Sequence, residues 1–146
     1  GYGVWVSDMG DISEERKAAL QKAGIGFEEG QHNEEKILSC DLIIKSPGIP
    51  DKSPLVKKAH EEGIPVIDEL EFASHYSAGK VIAITGTNGK TTTTLLTYHL
   101  LKEAGLDVGI AGNVGKSWAG QLVDKDHDWW VIETSSFQID GFMCFR

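Results

Sequence analysis

The chain lacks several features that would place it in a broad class of protein. Its 14 lysines and arginines are outnumbered by 22 aspartates and glutamates, and no basic stripe concentrates the cations. This balance, a formal net charge of −8, argues against a nucleic-acid partner. No apolar run is long enough to cross a bilayer, so no membrane span is expected. The two cysteines, Cys40 and Cys144, lie far apart and in no metal-type spacing, which favours a reduced, cytoplasmic protein.

Short apolar segments alternate with helical segments along the whole chain, and we find no internal repeat. Strands are predicted near residues 4–7, 27, 41–45, 64–67, 80–85, 108–110 and 128–132. Helices are predicted over residues 13–23, 33–39, 54–62, 69–75, 90–104 and 117–123. Strands separated by helices predict an α/β fold with parallel sheets.

A hinge-like segment at residues 76–79 divides the chain into two predicted units, residues 1–77 and residues 78–146. A chain of 146 residues can hold one ordinary domain or two small or incomplete ones. Each unit has about half the length of a typical domain. We therefore expect a fragment of a longer protein.

The most informative motif runs from Val81 to Thr92, where an apolar strand enters a glycine turn and a lysine opens a helix. Glycines at positions 86 and 89 let the backbone turn its N–H groups toward phosphate oxygens. The positive end of the following helix points at the same anion. The alternative is an ordinary glycine-containing turn between a strand and a helix. The predicted cradle consists of Gly86, Thr87, Asn88, Gly89, Lys90, Thr91 and Thr92.

Two residue types in this cradle carry the expected chemistry. Lys90 is expected to reach the β- and γ-phosphates of a nucleotide, and the hydroxyl of Thr91 or Thr92 is expected to bind Mg²⁺. The common P-loop pattern has a further glycine five positions before Gly89, where this chain has Ile84.

Polar residues also follow two later strands, at Asn113 and over Glu133–Gln138. Ligands of open α/β sheets bind at the carboxyl ends of the strands. A carboxylate at the end of a buried strand beside a phosphate cradle is typical of a second Mg²⁺ ligand, which makes Glu133 the candidate. The alternative is a surface glutamate just beyond a strand.

The segment Gly112–Ser117 imitates a second phosphate loop, because it also contains Gly-Lys-Ser. It lacks a long apolar strand before it, and the helix after it is short. A GTP-specific switch would also need an Asn-Lys-x-Asp motif, and the sequence contains none. We expect one phosphate cradle, with Asn113 contacting a ligand.

Three segments together resemble the Mur ligases of peptidoglycan synthesis: Thr85–Thr91, Gly112–Gly115 and Glu133–Gln138. Ser46–Ile49 and Asp68–Phe72 resemble the amino-terminal domain of the same family, so the resemblance covers nearly the whole chain. It implies a Rossmann-like unit without its first strand-turn-helix, followed by the first part of a P-loop ATPase domain. Within the family, Ser-Ser-Phe-Gln favours the ligase that adds D-glutamate to UDP-N-acetylmuramoyl-L-alanine.

The resemblance also implies a reaction. ATP phosphorylates the substrate carboxylate, and the amine of D-glutamate then attacks the acyl phosphate to form an amide. The implied catalytic residues are Lys90, Glu133 and Asn113, and the implied Mg²⁺ ligands are Thr91 and Glu133. The resemblance also makes a monomer the default expectation.

Substrate contacts are implied at two places. The muramoyl-alanine side would be lined by Asn113, Ser135, Ser136 and Gln138. The uridine diphosphate would lie at Ser46, Pro47 and Gly48, near Asp8. Met9 and Gly10 depart from the polar or basic residues sometimes found beside that aspartate.

Several parts that the family needs would lie before Gly1 or after Arg146, including a metal-binding histidine, a modified lysine and the D-glutamate domain. We therefore expect this chain alone to be inactive. The alternatives are another Mur-type or a folylpolyglutamate-type ligase, or a non-catalytic nucleotide-binding module. The pairs Glu28-Glu29 and Glu61-Glu62 are interpreted as solvated faces.

Overall fold

The structure is a computed structural model that describes residues 1–136 and 138. Its strands are β1 (Trp5–Asp8), β2 (Gly26–Glu29), β3 (Ile43–Lys45), β4 (Val66–Asp68), β5 (Lys80–Ile84), β6 (Val108–Gly112) and β7 (Trp129–Glu133). Its helices are α1 (Glu14–Lys22), α2 (Glu34–Leu38), α3 (Pro54–Glu61), α4 (Glu69–Ser74), α5 (Lys90–Glu103) and α6 (Trp118–Leu122). Strands and helices alternate, which confirms the predicted α/β fold.

Every strand pair in the described part of the chain is parallel, as predicted. β1 pairs with β2, and β3 pairs with β4, as two separate two-stranded sheets. The third sheet has the order β5-β7-β6, with β7 in the centre. The carboxyl ends of its three strands therefore lie together at one end of the sheet.

Local signals in the sequence explain where the helices begin and end. The side chains of Ser13, Asn33 and Ser117 accept backbone N–H groups at the starts of α1, α2 and α6. Gly24 follows α1 with a φ of 69°, a conformation that glycine adopts without a Cβ penalty. These caps satisfy backbone groups that a helix end leaves unpaired.

The largest buried cluster lies on the third sheet. Trp130 and Ile132 of β7 are fully buried, and Trp118 of α6 packs against Trp130 with their ring centroids 5.8 Å apart. Leu70 and Ala73 of α4 belong to the same cluster. A helix from the first predicted unit thus packs in the core of the second, while the boundary at residues 77/78 stays a prediction.

The predicted hinge is held to the second unit by one carboxylate. Asp126 accepts hydrogen bonds from the Ser77 hydroxyl at 2.7 Å, from the Ala78 N–H at 2.8 Å and from the Trp130 indole N–H at 2.8 Å. Gly79 lies so close to Trp130 that a Cβ there would overlap the indole ring. Among the described residues, no helix has the length and apolar character needed to cross a bilayer.

Candidate functional site

The glycine turn after β5 leaves the start of α5 open. Gly89 is the N-cap residue, with a φ of 75°, and no side-chain hydrogen bond caps the helix. Four other helices are capped by a side chain, namely that of Ser13, Asn33, Asp68 or Ser117. The first turn of α5 therefore keeps backbone N–H groups available for an anion, at the positive end of a 14-residue helix.

Lys90 lies at the centre of this turn. Its ammonium group donates a hydrogen bond to the Gly86 carbonyl at 2.8 Å, so the side chain folds back over the glycine loop. Gly86 has a φ of 145°, which a residue with a Cβ rarely adopts. The lysine thus places a positive charge over the loop that the sequence predicted to bind phosphate.

The departure from the P-loop pattern at Ile84 has a structural reason. Ile84 is the last residue of β5 and pairs with Glu133 of β7, and its carbonyl accepts the Thr134 N–H at 3.0 Å. The glycine turn in this chain therefore begins only after the strand has ended. An extended, paired residue needs no glycine.

The ends of the three strands meet around Glu133. Ile84 of β5 and Gly112 of β6 are both register partners of this residue. The Asn113 N–H donates to the Glu133 carbonyl at 3.0 Å. Gly112, with a φ of 94°, passes so close that a Cβ on it would overlap this carbonyl oxygen. Backbone hydrogen bonds therefore fix the relative positions of the phosphate loop, Glu133 and Asn113.

The carboxylate of Glu133 is buried and incompletely bonded. The residue is 6% exposed, which is inconsistent with the alternative of a surface glutamate. Its Oε2 atom has no hydrogen-bond partner among residues 1–136 and 138. A buried carboxylate oxygen without a donor costs free energy unless a cation compensates it. Its hard oxygen chemistry fits Mg²⁺.

One glutamine joins the other residues predicted at this end of the sheet. The Gln138 Oε1 atom accepts hydrogen bonds from the Asn113 side-chain amide at 3.2 Å and from the Ser135 N–H at 2.8 Å. Gln138 is buried, whereas Asn113 and Ser136 are exposed. Because Oε1 receives these donors, the orientation of the glutamine amide is set. The structure thus brings Asn113, Ser135 and Gln138 together, with Ser136 beside them in the chain.

The segment that imitates a second phosphate loop has no open helix start. α6 is only five residues long. The Gly120 N–H at its start donates to the Ser117 hydroxyl at 3.0 Å, and the Ala119 N–H donates to the Glu69 Oε1 atom at 2.6 Å. These donors are therefore already used, in contrast to those at the start of α5. The contrast supports the interpretation that residues 1–136 and 138 contain a single phosphate cradle.

The residues predicted for the uridine diphosphate lie on a different sheet. Ser46, Pro47 and Gly48 form an exposed turn directly after β3, and the Ile49 N–H closes it on the Ser46 carbonyl at 3.0 Å. Lys45 lies opposite Asp68 in the register of β3 and β4. Burial raises the pKa of the Asp68 carboxyl, although hydrogen bonding by the Glu71 N–H opposes this shift. The Ser46–Gly48 turn thus lies at the carboxyl end of β3, whereas Asp8 ends β1 in the separate β1–β2 sheet.

The interpretation of Glu28 and Glu29 as solvated is wrong, whereas Glu61 and Glu62 are exposed as predicted. Glu28 accepts the Ser7 hydroxyl at 2.8 Å and the Asn33 N–H at 2.9 Å. Donors from distant parts of the chain hold both carboxylates, and no local pattern signals this.

The sequence analysis also missed Glu69, which accepts two donors at the start of α6. The only signal was an acidic residue in the first turn of its own helix, α4. The same feature occurs at Glu14 and Glu15 in α1, so it does not distinguish the residue. Cys144, which the sequence analysis considered as a metal ligand and rejected, lies outside the described residues.

Comparison with known proteins matches both parts of the chain to one family. Residues 1–55 match the MurD N-terminal domain, and residues 84–142 match the Mur ligase middle domain. The second match contains the glycine turn, Asn113 and Glu133. Two UDP-N-acetylmuramoylalanine--D-glutamate ligases are similar over the full chain, at 53% identity over 146 residues in Bacteroides fragilis and 53% over 148 residues in Cytophaga hutchinsonii.

The chain spans 33% of the length of each of these relatives. A solved structure, that of UDP-N-acetylmuramate:L-alanyl-gamma-D-glutamyl-meso-diaminopimelate ligase from Neisseria meningitides, matches 90% of this chain and 46% of its own. Its TM-score is 0.53 at 20% identity, which supports the fold alone. The two domain matches and the full-chain similarity lead to one conclusion: the chain belongs to the Mur ligase family.

Proposed function

We propose that this chain supplies the phosphate-binding part of an ATP-dependent ligase that joins D-glutamate to UDP-N-acetylmuramoyl-L-alanine through an acyl phosphate. The observation that carries the proposal is the buried, unpartnered Glu133 oxygen at the strand end beside the open start of α5. The choice of D-glutamate and UDP-N-acetylmuramoylalanine as the two molecules joined is taken from the names of the similar proteins. Because the chain spans about a third of those relatives, the complete reaction belongs to the full-length protein that contains this sequence.

The phosphate groups of ATP would be bound by the turn at residues 86–89 and the first turn of α5. Lys90, now bonded to the Gly86 carbonyl, would exchange that acceptor for a phosphate oxygen. Glu133 and Thr91 would hold Mg²⁺, which when bound neutralises charge on the phosphates. The residues of this chain thus contribute positioning and charge compensation.

The two ends of the second substrate would bind at the two groups of predicted residues. Asn113, Ser135 and Gln138, joined by hydrogen bonds, would orient the muramoyl-alanine carboxylate, with the exposed Ser136 beside them. The turn Ser46–Gly48 would receive the uridine diphosphate. We assign no D-glutamate contact to this chain, and we propose a cytoplasmic monomer as the working form.

The test is phosphate release from ATP by the full-length protein that contains this sequence. UDP-N-acetylmuramoyl-L-alanine is present throughout, and D-glutamate is compared with L-lysine, meso-diaminopimelate and no amino acid. We expect release that requires D-glutamate, together with an amide product of matching mass. Dependence on a different amino acid would place the protein elsewhere among Mur-type ligases.

Binding of Mg-ATP without phosphate release in any of these mixtures would contradict the ligase and support a non-catalytic nucleotide-binding module. Failure to bind Mg-ATP at all would contradict both. Because binding and release are measured on the same preparation, the two failures are distinguishable.

A further inference from the structure

Helix α4 connects the two groups of candidate residues. It begins directly after β4, where the Asp68 side chain accepts the Glu71 N–H at 2.8 Å. Asp68 is the register partner of Lys45, the residue before the Ser46–Gly48 turn. The start of α4 is therefore fixed to the carboxyl end of the β3–β4 sheet, where the uridine diphosphate is proposed to bind.

The buried face of α4 packs on the other sheet. Leu70 is 1% exposed and Ala73 is fully buried, both in the cluster that contains Trp118, Trp130 and Ile132. Close packing of this kind resists relative displacement of the packed elements. The helix is therefore in contact with both sheets that carry candidate residues.

Glu69, in the first turn of α4, makes the polar part of this contact. Its Oε1 atom accepts hydrogen bonds from the Ser117 hydroxyl at 3.0 Å and from the Ala119 N–H at 2.6 Å. A carboxylate at the start of a helix binds its donors through charge-assisted hydrogen bonds and favours the positive end of the helix dipole. The start of α6 is thus held by a residue that precedes it by 48 positions in the chain.

The segment between β6 and α6 carries Asn113, and it is held at both ends. Its first N–H, that of Asn113, is bonded to the Glu133 carbonyl. Its far end is Ser117, which Glu69 holds. The Gln121 side chain also binds the Ile110 and Lys116 carbonyls from within the second unit, so loss of Glu69 should shift this segment without unfolding it.

We infer that Glu69 is a positioning residue that fixes the Asn113 segment relative to the Ser46–Gly48 turn, and so sets the separation between the two ends of the muramoyl substrate. This inference rests on the proposed function. A substrate that must reach both places at once is sensitive to their separation, whereas ATP is proposed to bind at the phosphate loop and does not need to span them.

The test compares Glu69→Ala, Glu69→Gln and the wild type in the full-length protein that contains this sequence. For Glu69→Ala we expect KM for UDP-N-acetylmuramoyl-L-alanine to rise roughly tenfold, because small displacements of positioning groups have large kinetic effects. KM for ATP should stay within about twofold of its wild-type value, since Glu69 is bonded to Ser117 and Ala119 at the start of α6 and the phosphate loop precedes α5. Glu69→Gln keeps an acceptor oxygen, so its KM for the muramoyl substrate should rise less than that of Glu69→Ala. Glu15→Ala is the matched control, because Glu15 is an exposed first-turn glutamate in α1.

An unchanged KM for the muramoyl substrate in Glu69→Ala would overturn the inference. An equal rise in KM for the muramoyl substrate and for ATP would also overturn the inference, because that result indicates general damage to the second unit.

A second measurement does not depend on activity. Hydrogen–deuterium exchange of the peptide over residues 113–122 should become faster in Glu69→Ala and stay unchanged in Glu15→Ala. Equal exchange in all variants would contradict the contact itself. An inactive wild type would refute the proposed function on its own, and with it the kinetic role of Glu69.

Discussion

Glutamates lie at the carboxyl ends of parallel strands in two regions of the molecule, and their hydrogen bonding differs. At the β2 end, Glu28 accepts two donors, and Glu29 accepts the Ile12 N–H at 2.9 Å and pairs with Lys17 at 2.8 Å. At the β7 end, the Glu133 Oε2 atom is buried and has no partner in the described part of the chain. The same strand position thus carries a structural carboxylate in one sheet and an uncompensated one in the other.

The difference has an energetic meaning. A buried polar group left without a partner costs about 1–3 kcal/mol, and more when it is charged. The β2 end avoids this cost because its donors bring the loops after β1 and β2 together. The β7 end retains the cost, which is typical of a site that completes its bonding with a ligand. The comparison therefore separates glutamates that hold the fold from one that is placed for binding.

The largest expected effect concerns the cation beside the β7 end. Lys90→Ala should lower phosphate release by the full-length protein about 10²–10³-fold, the usual loss for one charge-stabilising donor. Lys17→Ala removes the lysine of the β2 end and should leave the rate nearly unchanged. Steady-state kinetics of both variants, each checked for folding by circular dichroism, measure the difference. An equal loss of phosphate release in the two variants would contradict the assignment of binding to the β7 end and of a structural role to the β2 end.

The second prediction concerns one glycine beside the glutamate at each end: Gly112, the register partner of Glu133, and Gly30, which follows Glu29 in the chain. Gly112→Ala should lower the free energy of unfolding by about 2–3 kcal/mol, because it combines a strained φ of 94° with overlap on the Glu133 carbonyl. Gly30, which follows Glu29, has a φ of 72° and open space around it. Gly30→Ala should cost only about 1 kcal/mol. Denaturant unfolding of the two variants gives both values, and a larger loss for Gly30→Ala would contradict the close packing at the β7 end.

The third prediction uses opposite effects on stability and binding. Glu133→Gln should raise the Mg²⁺ concentration needed for half-maximal phosphate release at least tenfold, because even groups that only hydrogen-bond to a metal's ligands change metal affinity roughly 10–100-fold. Without Mg²⁺, the same variant should be more stable by about 1 kcal/mol, since a neutral amide replaces an uncompensated buried carboxylate.

Glu29→Gln is the matched control for this prediction. It should leave the Mg²⁺ requirement unchanged and should lower stability slightly, because it weakens the bonds to Lys17 and Ile12. Mg²⁺ titration of phosphate release measures the change in Mg²⁺ requirement in each variant, and thermal unfolding measures the direction of the change in stability. A stability loss in Glu133→Gln would show that its carboxylate is bonded in the free protein.

Local signals in the sequence were sufficient to predict the order and the approximate limits of the helices and strands. Helices α1 and α2 begin directly after Ser13 and Asn33, where helices were predicted to start, and Gly89 is the N-cap residue of α5. Glu133 and Asn113 could be placed at strand ends because the carboxyl ends of parallel strands share one end of a sheet. The bonding state of Glu133 could not be predicted, since it depends on which donors the rest of the fold brings near it.

The sheet on which α4 packs could not be predicted from the sequence either. Its residues look like part of the first unit, and the apolar positions Leu70 and Ala73 do not identify the sheet they pack on. The bonds of Glu69 to Ser117 and Ala119, and of Glu28 to Ser7, join residues 21 to 50 positions apart. Such contacts follow from tertiary structure, for which neither periodicity nor capping patterns carry a signal.

The smallest expected effect is the acid response of the β2 end. The Asn33 N–H and the Ser7 hydroxyl hold the pKa of Glu28 below its usual value of 4.5, and Lys17 and the Ile12 N–H do the same for Glu29. A carboxylate with a lowered pKa in the folded state contributes stability that is present above its usual pKa and is lost as the pH falls through the lowered value.

The free energy of unfolding should therefore decrease below about pH 4.5 with a slope that Glu29→Gln reduces, because the glutamine cannot take up the proton that the unfolded chain binds. Denaturant unfolding at a series of pH values from roughly 6 to 3 measures this slope. Added salt should weaken the part of the effect that comes from the partly exposed Lys17–Glu29 pair, and should spare the part that comes from the Ile12 N–H. If Glu29→Gln keeps the wild-type slope, the carboxylates of the β2 end do not stabilise the fold through their hydrogen bonds, and the contrast with Glu133 rests on burial alone.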